Sequence, residues 1–465
     1  MFYCREQELT KLNKRYEAGK FECVVIYGRR RVGKTALINE FCKDKKTIYF
    51  SALNATAQEN LKTLSKAIHL YKTGNATHFP EYRSYEDALD EISNLSAEER
   101  IVFVIDEYPY LAKGVESISS RLQHLIDHVW CNSKLYLILC GSSMSFMEYQ
   151  VLGYESPLYG RRTAQFKIEP LTYKEIAVFN PNLSCEENAL VYGITGGVPH
   201  YINKLDVRTD LDEALLENVF DTSSYLFEEP ENLLKQELRE PGIYNSIITA
   251  IAEGASRINE IATKIGIESG PCTKYIKVLI ELGIIKKEVP MAEENSKKTI
   301  YLLADNFFRF WYRFVPRNIT AISSGRIEGI YAEVVKSQLS DYMGLVFEKM
   351  CREYLLYYAT ELPIHLRDIG QWWGSDPIQR KEVQIDIVGT PSVGKEYIIG
   401  SCKFKNKKIG VEELELLKEY ASVFGKGEKY HYYIFSKAGF TKDLLDLAAR
   451  EQVQLITLED MYGEK

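Results

Sequence analysis

The sequence predicts a multidomain α/β protein whose first domain is built on a parallel sheet. Three observations favour this fold class. The chain has 465 residues, which is too long for a single hydrophobic core. Residues 1–168 alternate apolar, β-branched runs with segments of helical spacing, as in a parallel sheet covered by helices. Residues 241–305 and 341–465 follow patterns of their own, which indicate further domains.

Composition narrows the classes of function. The hydrophobic fraction is 45%, which is typical of an ordered globular chain. We expect no membrane span and no secretory signal, because no apolar run approaches roughly 20 residues and residues 1–20 are polar and charged. The nine cysteines are scattered and never spaced C-x-x-C, which favours reduced thiols in the cytoplasm. Since the net charge is −7, any contact with nucleic acid must come from a local patch.

A glycine-containing loop follows the first predicted strand, Cys23–Tyr27, and precedes a segment of helical spacing. Backbone N–H groups of such a loop, with the N-terminus of the next helix, surround a phosphate chain. We therefore predict that ATP binds here with Mg²⁺, with Lys34 at the β- and γ-phosphates and Thr35 on the metal. The loop fits G-x-x-x-x-G-K-[ST] at every fixed position and consists of Gly28, Arg29, Arg30, Arg31, Val32, Gly33, Lys34 and Thr35.

Two acidic residues close a later strand, Ile101–Ile105. In nucleotide hydrolases an Asp at this strand end holds Mg²⁺, so we assign Asp106 to the metal. The neighbouring carboxylate of Glu107 is predicted to be the general base that orients and deprotonates the attacking water. The sequence therefore predicts an ATPase.

The next strand, Leu135–Leu139, is followed by Gly141, Ser142 and Ser143. A hydroxyl at this strand end would lie between the two acidic residues and the γ-phosphate, where it can sense phosphate or water. The sequence does not decide between Ser142 and Ser143. The closing strand of the sheet is predicted at Gln165–Ile168.

Residues 169–240 are predicted to be helical, with breaks at Gly193 and at Gly196–Pro199. Residues 241–305 predict a winged helix-turn-helix. Eight Lys/Arg against seven Asp/Glu in residues 243–303 is a weak charge for a DNA reader, so a packing module is the alternative. The predicted helices are Tyr244–Glu253, Arg257–Ile265 and Pro271–Leu282, and the predicted wing strands are Ile284–Val289 and Thr299–Leu303, joined by a tip at Ala292–Lys298.

Residues 306–340 are aromatic-rich and are interpreted as connecting helices, and residues 341–465 as a last α/β domain with strands at Val383–Val388, Tyr397–Lys403 and Tyr430–Phe435. Asp386 lies on the first of these strands and Lys403 ends the second, as in a PD-(D/E)xK nuclease site, where carboxylates bind metal and the Lys positions water. Glu348 is the candidate upstream acid. The run Lys403, Lys405, Lys407 and Lys408 would suit a phosphodiester backbone.

These motifs together resemble the archaeal-type, STAND-related P-loop ATPases of the AAA+ class that carry a C-terminal nuclease-like domain. The resemblance implies a P-loop parallel-sheet ATPase core, a helical lid, a winged helix-turn-helix and a restriction-endonuclease-like C-terminal domain. It also implies that Arg161 or Arg162 is a phosphate-sensing or finger arginine. The segments that carry it are Tyr27–Thr35, Asp106–Tyr110, Gly141–Ser143, Leu158–Arg162, Gly196–Pro199, Phe310–Phe314, Phe347–Glu348, Trp372–Gly374, Ile385–Val388 and Cys402–Lys403.

Two positions depart from the nuclease pattern. Ser401 stands where the family usually has Glu, and Gln384 stands where it commonly has Glu. Because hard cations need charged oxygen ligands, we predict weak or absent cleavage and a domain that binds nucleic acid, DNA or RNA, or protein. The alternative function is a STAND-type signalling switch whose C-terminal domain is an interaction module. The sequence leaves self-assembly into a homo-oligomer open.

Overall fold

A computed structural model of the chain describes residues 3–75, 77–207, 210–293 and 298–463. Its contacts divide the chain into two units. The first runs to Pro170 and includes Val198–His200, and the second comprises Leu171–Gly197 and the residues from Tyr201 onward. No helix in the described ranges combines the length and apolar character that crossing a membrane requires.

The first unit contains a five-stranded sheet in the order β2-β3-β4-β1-β5, in which every neighbouring pair is parallel. Its strands are β1 Glu22–Tyr27, β2 Thr47–Ser51, β3 Val102–Asp106, β4 Tyr136–Gly141 and β5 Ala164–Lys167. Its helices are α1 Glu6–Glu17, α2 Lys34–Cys42, α3 Ala57–Thr73, α4 Tyr85–Glu98, α5 Tyr108–Gly114 and α6 Ile118–His128, with a 3₁₀ turn at Trp130–Asn132 and a π-helical turn at Phe146–Val151.

Strand β1 explains why the sequence shows apolar runs instead of alternation. Cys23 and Val25 belong to one apolar cluster and Val24 and Ile26 to another, so the strand is buried on both faces. A parallel strand covered by helices on both sides has this pattern. The predicted parallel-sheet core is confirmed.

The predicted helical region contains α7 Tyr173–Phe179, α8 Cys185–Thr195, α9 Pro199–Leu205, α10 Leu211–Asn218 and α11 Tyr225–Glu237. The predicted break at Gly193 is wrong, because Gly193 lies inside α8. A Cβ at this position would overlap the Met343 side chain, so the glycine serves close packing. Gly196, with φ +65°, is the residue that ends the helix.

The winged helix-turn-helix is confirmed. It consists of α12 Pro241–Ala252, α13 Ile258–Ile265 and α14 Ser269–Glu281, followed by the antiparallel pair β6 Ile285–Glu288 and β7 Ile300–Leu303. Within the predicted wing tip, residues 294–297 lie outside the described residues. Helix α12 begins three residues before the predicted Tyr244, at a proline, which is favourable in a first turn.

The connecting region contains α15 Asn306–Phe314, α16 Ile319–Ser323 and α17 Ile327–Ile330, with a 3₁₀ turn at Pro316–Asn318 and a π-helical turn at Tyr331–Val335. Every residue of α15 is buried except Arg309 and Arg313. Trp311 Nε1 donates to the Phe227 carbonyl at 2.8 Å. The aromatic side chains of α15 therefore pack inside the second unit and form no exposed surface.

The C-terminal domain has a mixed sheet in the order β12-β11-β10-β9-β8. The pairs β8/β9 and β9/β10 are antiparallel, and β10/β11 and β11/β12 are parallel. The elements are α18 Lys336–Glu353, a π-helical turn Tyr354–Tyr358, β8 Leu366–Ser375, β9 Glu382–Pro391, β10 Glu396–Lys403, α19 Val411–Phe424, β11 Lys429–Ser436, α20 Lys442–Glu451, β12 Gln454–Thr457 and α21 Leu458–Tyr462. The sequence analysis missed strands β8 and β12.

Candidate functional site

The phosphate-binding loop connects β1 to α2 and depends on its two glycines. A Cβ on Gly28 would overlap the carbonyl oxygen of Ile168, and Gly33 has φ +96°. Lys34 begins α2, and its Nζ donates to the carbonyls of Gly28 at 2.8 Å and Arg29 at 2.9 Å. The loop therefore keeps the ammonium group inside its own curve, where a phosphate chain would lie.

Burial lowers the pKa of Lys34 below its ordinary value, against the opposing charges of Asp106 and Glu107. The lysine is thus desolvated but flanked by acids. A polyanionic ligand would stabilise its charged form further.

The predicted metal ligands lie side by side. Thr35 Oγ1 is 3.4 Å from Asp106 Oδ2, and Asp106 is only 6% exposed. These are oxygen ligands, which suit Mg²⁺. Among the residues that the structure describes, no group of three or more His, Cys, Asp or Glu is arranged to hold a metal. Two protein ligands fit a Mg²⁺ ion that takes its remaining ligands from phosphates and water.

Tyr49 on β2 was not predicted as a site residue. Its hydroxyl donates to Asp106 Oδ2 at 2.8 Å, and the Glu107 backbone N–H donates to Asp106 Oδ1 at 3.0 Å. Both carboxylate oxygens of Asp106 are therefore fixed before any ligand arrives. A tyrosine in a strand gives no sequence signal for this role, which depends on β2 lying beside β3.

Glu107 occupies a left-handed backbone conformation with φ 52°, which is costly for a residue other than glycine. Ser142 follows β4, the strand between those that carry the loop and the acidic pair. Its Oγ lies 3.0 Å from both Glu107 Oε1 and Glu107 Oε2. Of the two candidate serines, Ser142 is the one that contacts the predicted base.

The three arginines of the loop add positive charge beside the same edge. Arg30 Nη2 donates to the Tyr110 hydroxyl at 2.8 Å, which links the loop to the helix that follows Glu107. Arg31 has φ 72°, so the loop backbone is strained at a second point.

The two candidate finger arginines differ in their contacts. Arg161 makes a bidentate pair with Asp127 on α6, with Nε–Oδ1 at 2.9 Å and Nη2–Oδ2 at 2.8 Å. Its Nη1 donates to the carbonyls of Pro157 and Tyr159, both at 3.0 Å. Arg162 makes a longer contact, 3.4 Å from Nη1 to the Leu152 carbonyl. Arg161 is held in place by four hydrogen bonds, whereas Arg162 is held weakly.

A second candidate site lies where β9 meets β10 in the C-terminal domain. Gly400 pairs with Ile387, so Asp386 and Ser401 come next along their strands. Asp386 Oδ2 accepts the Cys402 backbone N–H at 2.9 Å and lies 3.6 Å from Lys403 Nζ. The predicted acid and lysine are thus brought together.

Glu413 on α19 joins this site and was missed by the sequence analysis. Ser401 Oγ donates to Glu413 Oε1 at 2.7 Å, and Lys403 Nζ is 3.3 Å from the same oxygen. A carboxylate from a helix therefore stands beside the serine that replaces the expected strand glutamate. Burial lowers the pKa of Lys403, but Asp386 and Glu413 outweigh it and raise that pKa overall.

Glu348 on α18 completes the second site. Burial and the charge of Asp386 raise the pKa of Glu348 to about 7. Gln371 on β8 donates to Glu348, and Arg352 Nη1 lies 3.8 Å from Glu348 Oε2 and donates to the Asp386 carbonyl at 3.3 Å. Burial likewise raises the pKa of Asp386.

Two sets of basic side chains are exposed to solvent. Lys405, Lys407 and Lys408 are exposed between β10 and α19, and Lys274 and Lys277 are exposed on α14.

Comparisons with family models follow the same division of the chain. Residues 2–205 match an ATPase domain found predominantly in Archaea. Residues 247–286 match a winged helix-turn-helix DNA-binding model, and residues 311–415 match a family of archaeal and bacterial proteins of unknown function.

The uncharacterized protein MJECL04 of Methanocaldococcus jannaschii is 33% identical over 454 residues, which cover 94% of this chain and 96% of that protein. The chain belongs to the same family. With the ATPase domain match and the loop geometry, it is a P-loop ATPase. The uncharacterized ATP-binding protein MJ0423 of the same organism is 46% identical over a shorter stretch of 46 residues. This match covers 10% of the chain and 78% of that protein.

Among solved structures, the Walker-type ATPase PABY2304 of Pyrococcus abyssi superimposes with a TM-score of 0.53 at 21% identity. The match covers 67% of this chain and 96% of the Pyrococcus chain. At this identity the likeness shows a shared fold.

Proposed function

We propose that this P-loop ATPase hydrolyses Mg²⁺-bound ATP with Glu107 as general base, and that its nucleotide state controls nucleic acid bound by the winged helix and the C-terminal domain. The observation that carries the proposal is the meeting of Lys34, Thr35, Asp106 and Glu107 at one edge of the parallel sheet. A protein that only binds nucleotide needs no base beside its metal carboxylate.

Each residue has a separate task. Lys34 and the loop N–H groups hold the phosphates, and Thr35 and Asp106 hold the metal. Mg²⁺, when bound, neutralises charge on the β- and γ-phosphates. Glu107 takes the proton of the attacking water. Ser142 is the sensor, since its hydroxyl already contacts Glu107 and is placed to change partner when a γ-phosphate arrives.

For the finger role we favour Arg162 over Arg161. An arginine that stabilises transition-state charge must be able to turn toward the phosphate. Arg161 would have to leave its bidentate pair with Asp127, whereas Arg162 gives up only a 3.4 Å contact.

For the C-terminal domain we propose a restriction-endonuclease-like fold with little or no cleavage. Support comes from the order helix, three antiparallel strands, helix, parallel strand, and from Asp386, Lys403 and Glu348 at the predicted places. Glu413 brings a carboxylate to the Ser401 position, but Lys403 and Ser401 already engage it. The exposed Lys405, Lys407 and Lys408 supply contacts to a phosphate backbone.

We place the protein in the cytoplasm, where its nine cysteine thiols would stay reduced. We assign ATP as the ligand and propose DNA or RNA as the macromolecular partner. We further propose that the chain self-associates into a homo-oligomer, which sedimentation can test.

The test is ATP turnover by the full chain with and without DNA and RNA, with Lys34→Ala as the control for contaminating activity. Basal turnover that Lys34→Ala abolishes, stimulated by nucleic acid, supports the proposal. Turnover that nucleic acid leaves unchanged, with no binding of DNA or RNA, favours the signalling-switch alternative. Wild-type turnover by Lys34→Ala would overturn the ATP site itself.

A further inference from the structure

A pocket of about 250 Å³ lies within the second unit, between the winged helix, α15, α18 and β8. Its wall carries five basic side chains and one acidic one. The basic residues are Lys286, Arg309, Arg313, Lys349 and Arg352, and the acidic residue is Asp341. In a protein of net charge −7, this concentration of positive charge in one concave wall indicates an anionic ligand.

Most of these cations are oriented by carboxylates that do not line the pocket. Lys349 Nζ is 3.8 Å from Glu353 Oε1, and Arg352 Nη1 is 3.8 Å from Glu348 Oε2. Lys286 pairs with Glu288 on the same wing strand. The acids behind the wall keep the cations in position, while the pocket itself presents mainly their positive charge.

Arg309 has one hydrogen-bond donor, its Nε–H, that the described residues do not satisfy. Its guanidinium lies 4.3 Å from the centre of the Tyr342 ring, and its Nη2 donates to the Tyr342 carbonyl at 3.2 Å. Its Nε is buried and has no acceptor among the residues that the structure describes. A buried donor without an acceptor is costly, so a turn of the guanidinium toward a ligand oxygen in the pocket would be favourable.

The remaining wall is apolar and includes Leu302, Leu303 and Leu345. Ligand pockets usually measure about 300–1,000 Å³, so this one suits a single small ligand and excludes a duplex. Gln371 also lines the pocket and donates to Glu348, so the pocket adjoins the candidate nuclease-like site.

We propose that this pocket binds one nucleoside monophosphate unit, with the phosphate on the basic wall and the nucleoside against the leucines. The unit can come from a free mononucleotide or from the phosphorylated end of a nucleic-acid strand. The second source rests on the proposed nucleic-acid function, whereas the first does not.

The experiment uses the full chain with Mg-ADP in excess to occupy the P-loop. Fluorescence anisotropy compares a single-stranded oligonucleotide carrying a 5′- or 3′-phosphate with the same strand ending in hydroxyls. Competition by AMP is compared with competition by adenosine, and the direct binding of each is measured by calorimetry. The test variant is Lys286→Gln with Lys349→Gln, and the matched control is Lys264→Gln with Lys395→Gln, two ion-paired lysines outside the pocket.

The proposal expects an end phosphate to strengthen binding about tenfold or more, and the pocket variant to remove that advantage while the control keeps it. If AMP binds in the calorimeter, the pocket variant loses that binding and no strand binds, the pocket assignment stands with a free nucleotide as ligand and the nucleic-acid function fails. If strands bind equally with and without the phosphate and AMP does not compete, the pocket assignment fails and the nucleic-acid function stands. A phosphate advantage unchanged in the pocket variant, whose thermal unfolding matches wild type, also overturns it.

Discussion

At the scale of single residues, the proposed ATP site depends on how Asp106 and Glu107 would divide two tasks. Asp106 is held by three donors, from Thr35, Tyr49 and the Glu107 backbone. Glu107 is held only by Ser142 among the hydrogen bonds found for its side chain in the described residues. The fixed carboxylate suits a metal ligand, and the carboxylate with one exchangeable partner suits a base.

Glu107→Gln should bind ATP but hydrolyse it roughly 10²-fold or more slowly, because the amide cannot accept the proton of water. Single-turnover hydrolysis and nucleotide binding measure the two effects separately. Ser142→Ala is the companion variant and should alter the rate less, since it leaves the base in place. An unchanged single-turnover rate in Glu107→Gln would assign the base elsewhere.

Tyr49→Phe should raise the Mg²⁺ concentration needed for half-maximal ATP turnover several-fold. The change removes the 2.8 Å hydrogen bond that orients Asp106, and a hydrogen bond to a charged group contributes about 1.5–3 kcal/mol. Tyr71→Phe is the matched control, since Tyr71 donates to Glu99 in the same unit. An equal Mg²⁺ requirement in both variants would show that Tyr49 does not position the metal ligand.

Glu348 should make stability fall as pH rises. Its pKa is raised to about 7 in the folded chain, against about 4.3 when unfolded. The folded state therefore holds the proton more tightly, so this contribution, about 4 kcal/mol, is complete below pH 4.3 and is lost as the pH rises to 7. Urea unfolding at pH 5 and pH 8 measures it. Glu348→Gln should flatten the dependence of the unfolding free energy on pH. Glu415→Gln is the control and should leave it unchanged, because Glu415 is exposed.

At the scale of elements, the sequence predicted those with a strong period and missed those whose pattern is disturbed. Strand β8 has register shifts between Leu366 and Asp368 and between Gly370 and Trp372, which disrupt its alternation. Gly193 was interpreted as a helix break because glycine is unfavourable inside a helix. Its packing against Met343 is a tertiary contact, which the sequence does not show. Glu413 was missed for the same reason, since only the fold places α19 beside Ser401.

The contact between β10 and α19 gives a test of the nuclease-like site. Ser401→Glu would set a second carboxylate against Glu413, so we expect a lower unfolding temperature without metal and recovery on adding Mn²⁺. Ser401→Ala, which loses the hydrogen bond but adds no charge, should show no Mn²⁺ response. If wild type and Ser401→Glu respond to Mn²⁺ equally, Ser401 is not the position that limits metal binding.

At the scale of the whole molecule, the grouping of the proposed ATP-site residues could be predicted almost residue by residue, because these residues come from one contiguous loop and two strand ends. The C-terminal site could be predicted only in part, because its groups come from α18, β8, β9, β10 and α19. Asp386 and Lys403 have a recognisable spacing, whereas Gln371 and Glu413 become visible only when the sheet is assembled.

The whole-molecule proposal predicts that nucleic acid stimulates ATP turnover through the second unit. Replacing Lys405, Lys407 and Lys408 with Gln should lower the ratio of stimulated to basal turnover. It should also reduce the slope of log affinity against log salt by about 2–3, because each phosphate that a lysine neutralises contributes close to one to that slope. Replacing the ion-paired Lys381, Lys395 and Lys418 is the control for the same change of charge. Because each neutralised phosphate releases counterions, the salt slope tests direct backbone binding independently of turnover. An unchanged slope alongside a reduced ratio would mean that this lysine run transmits stimulation without touching the phosphates.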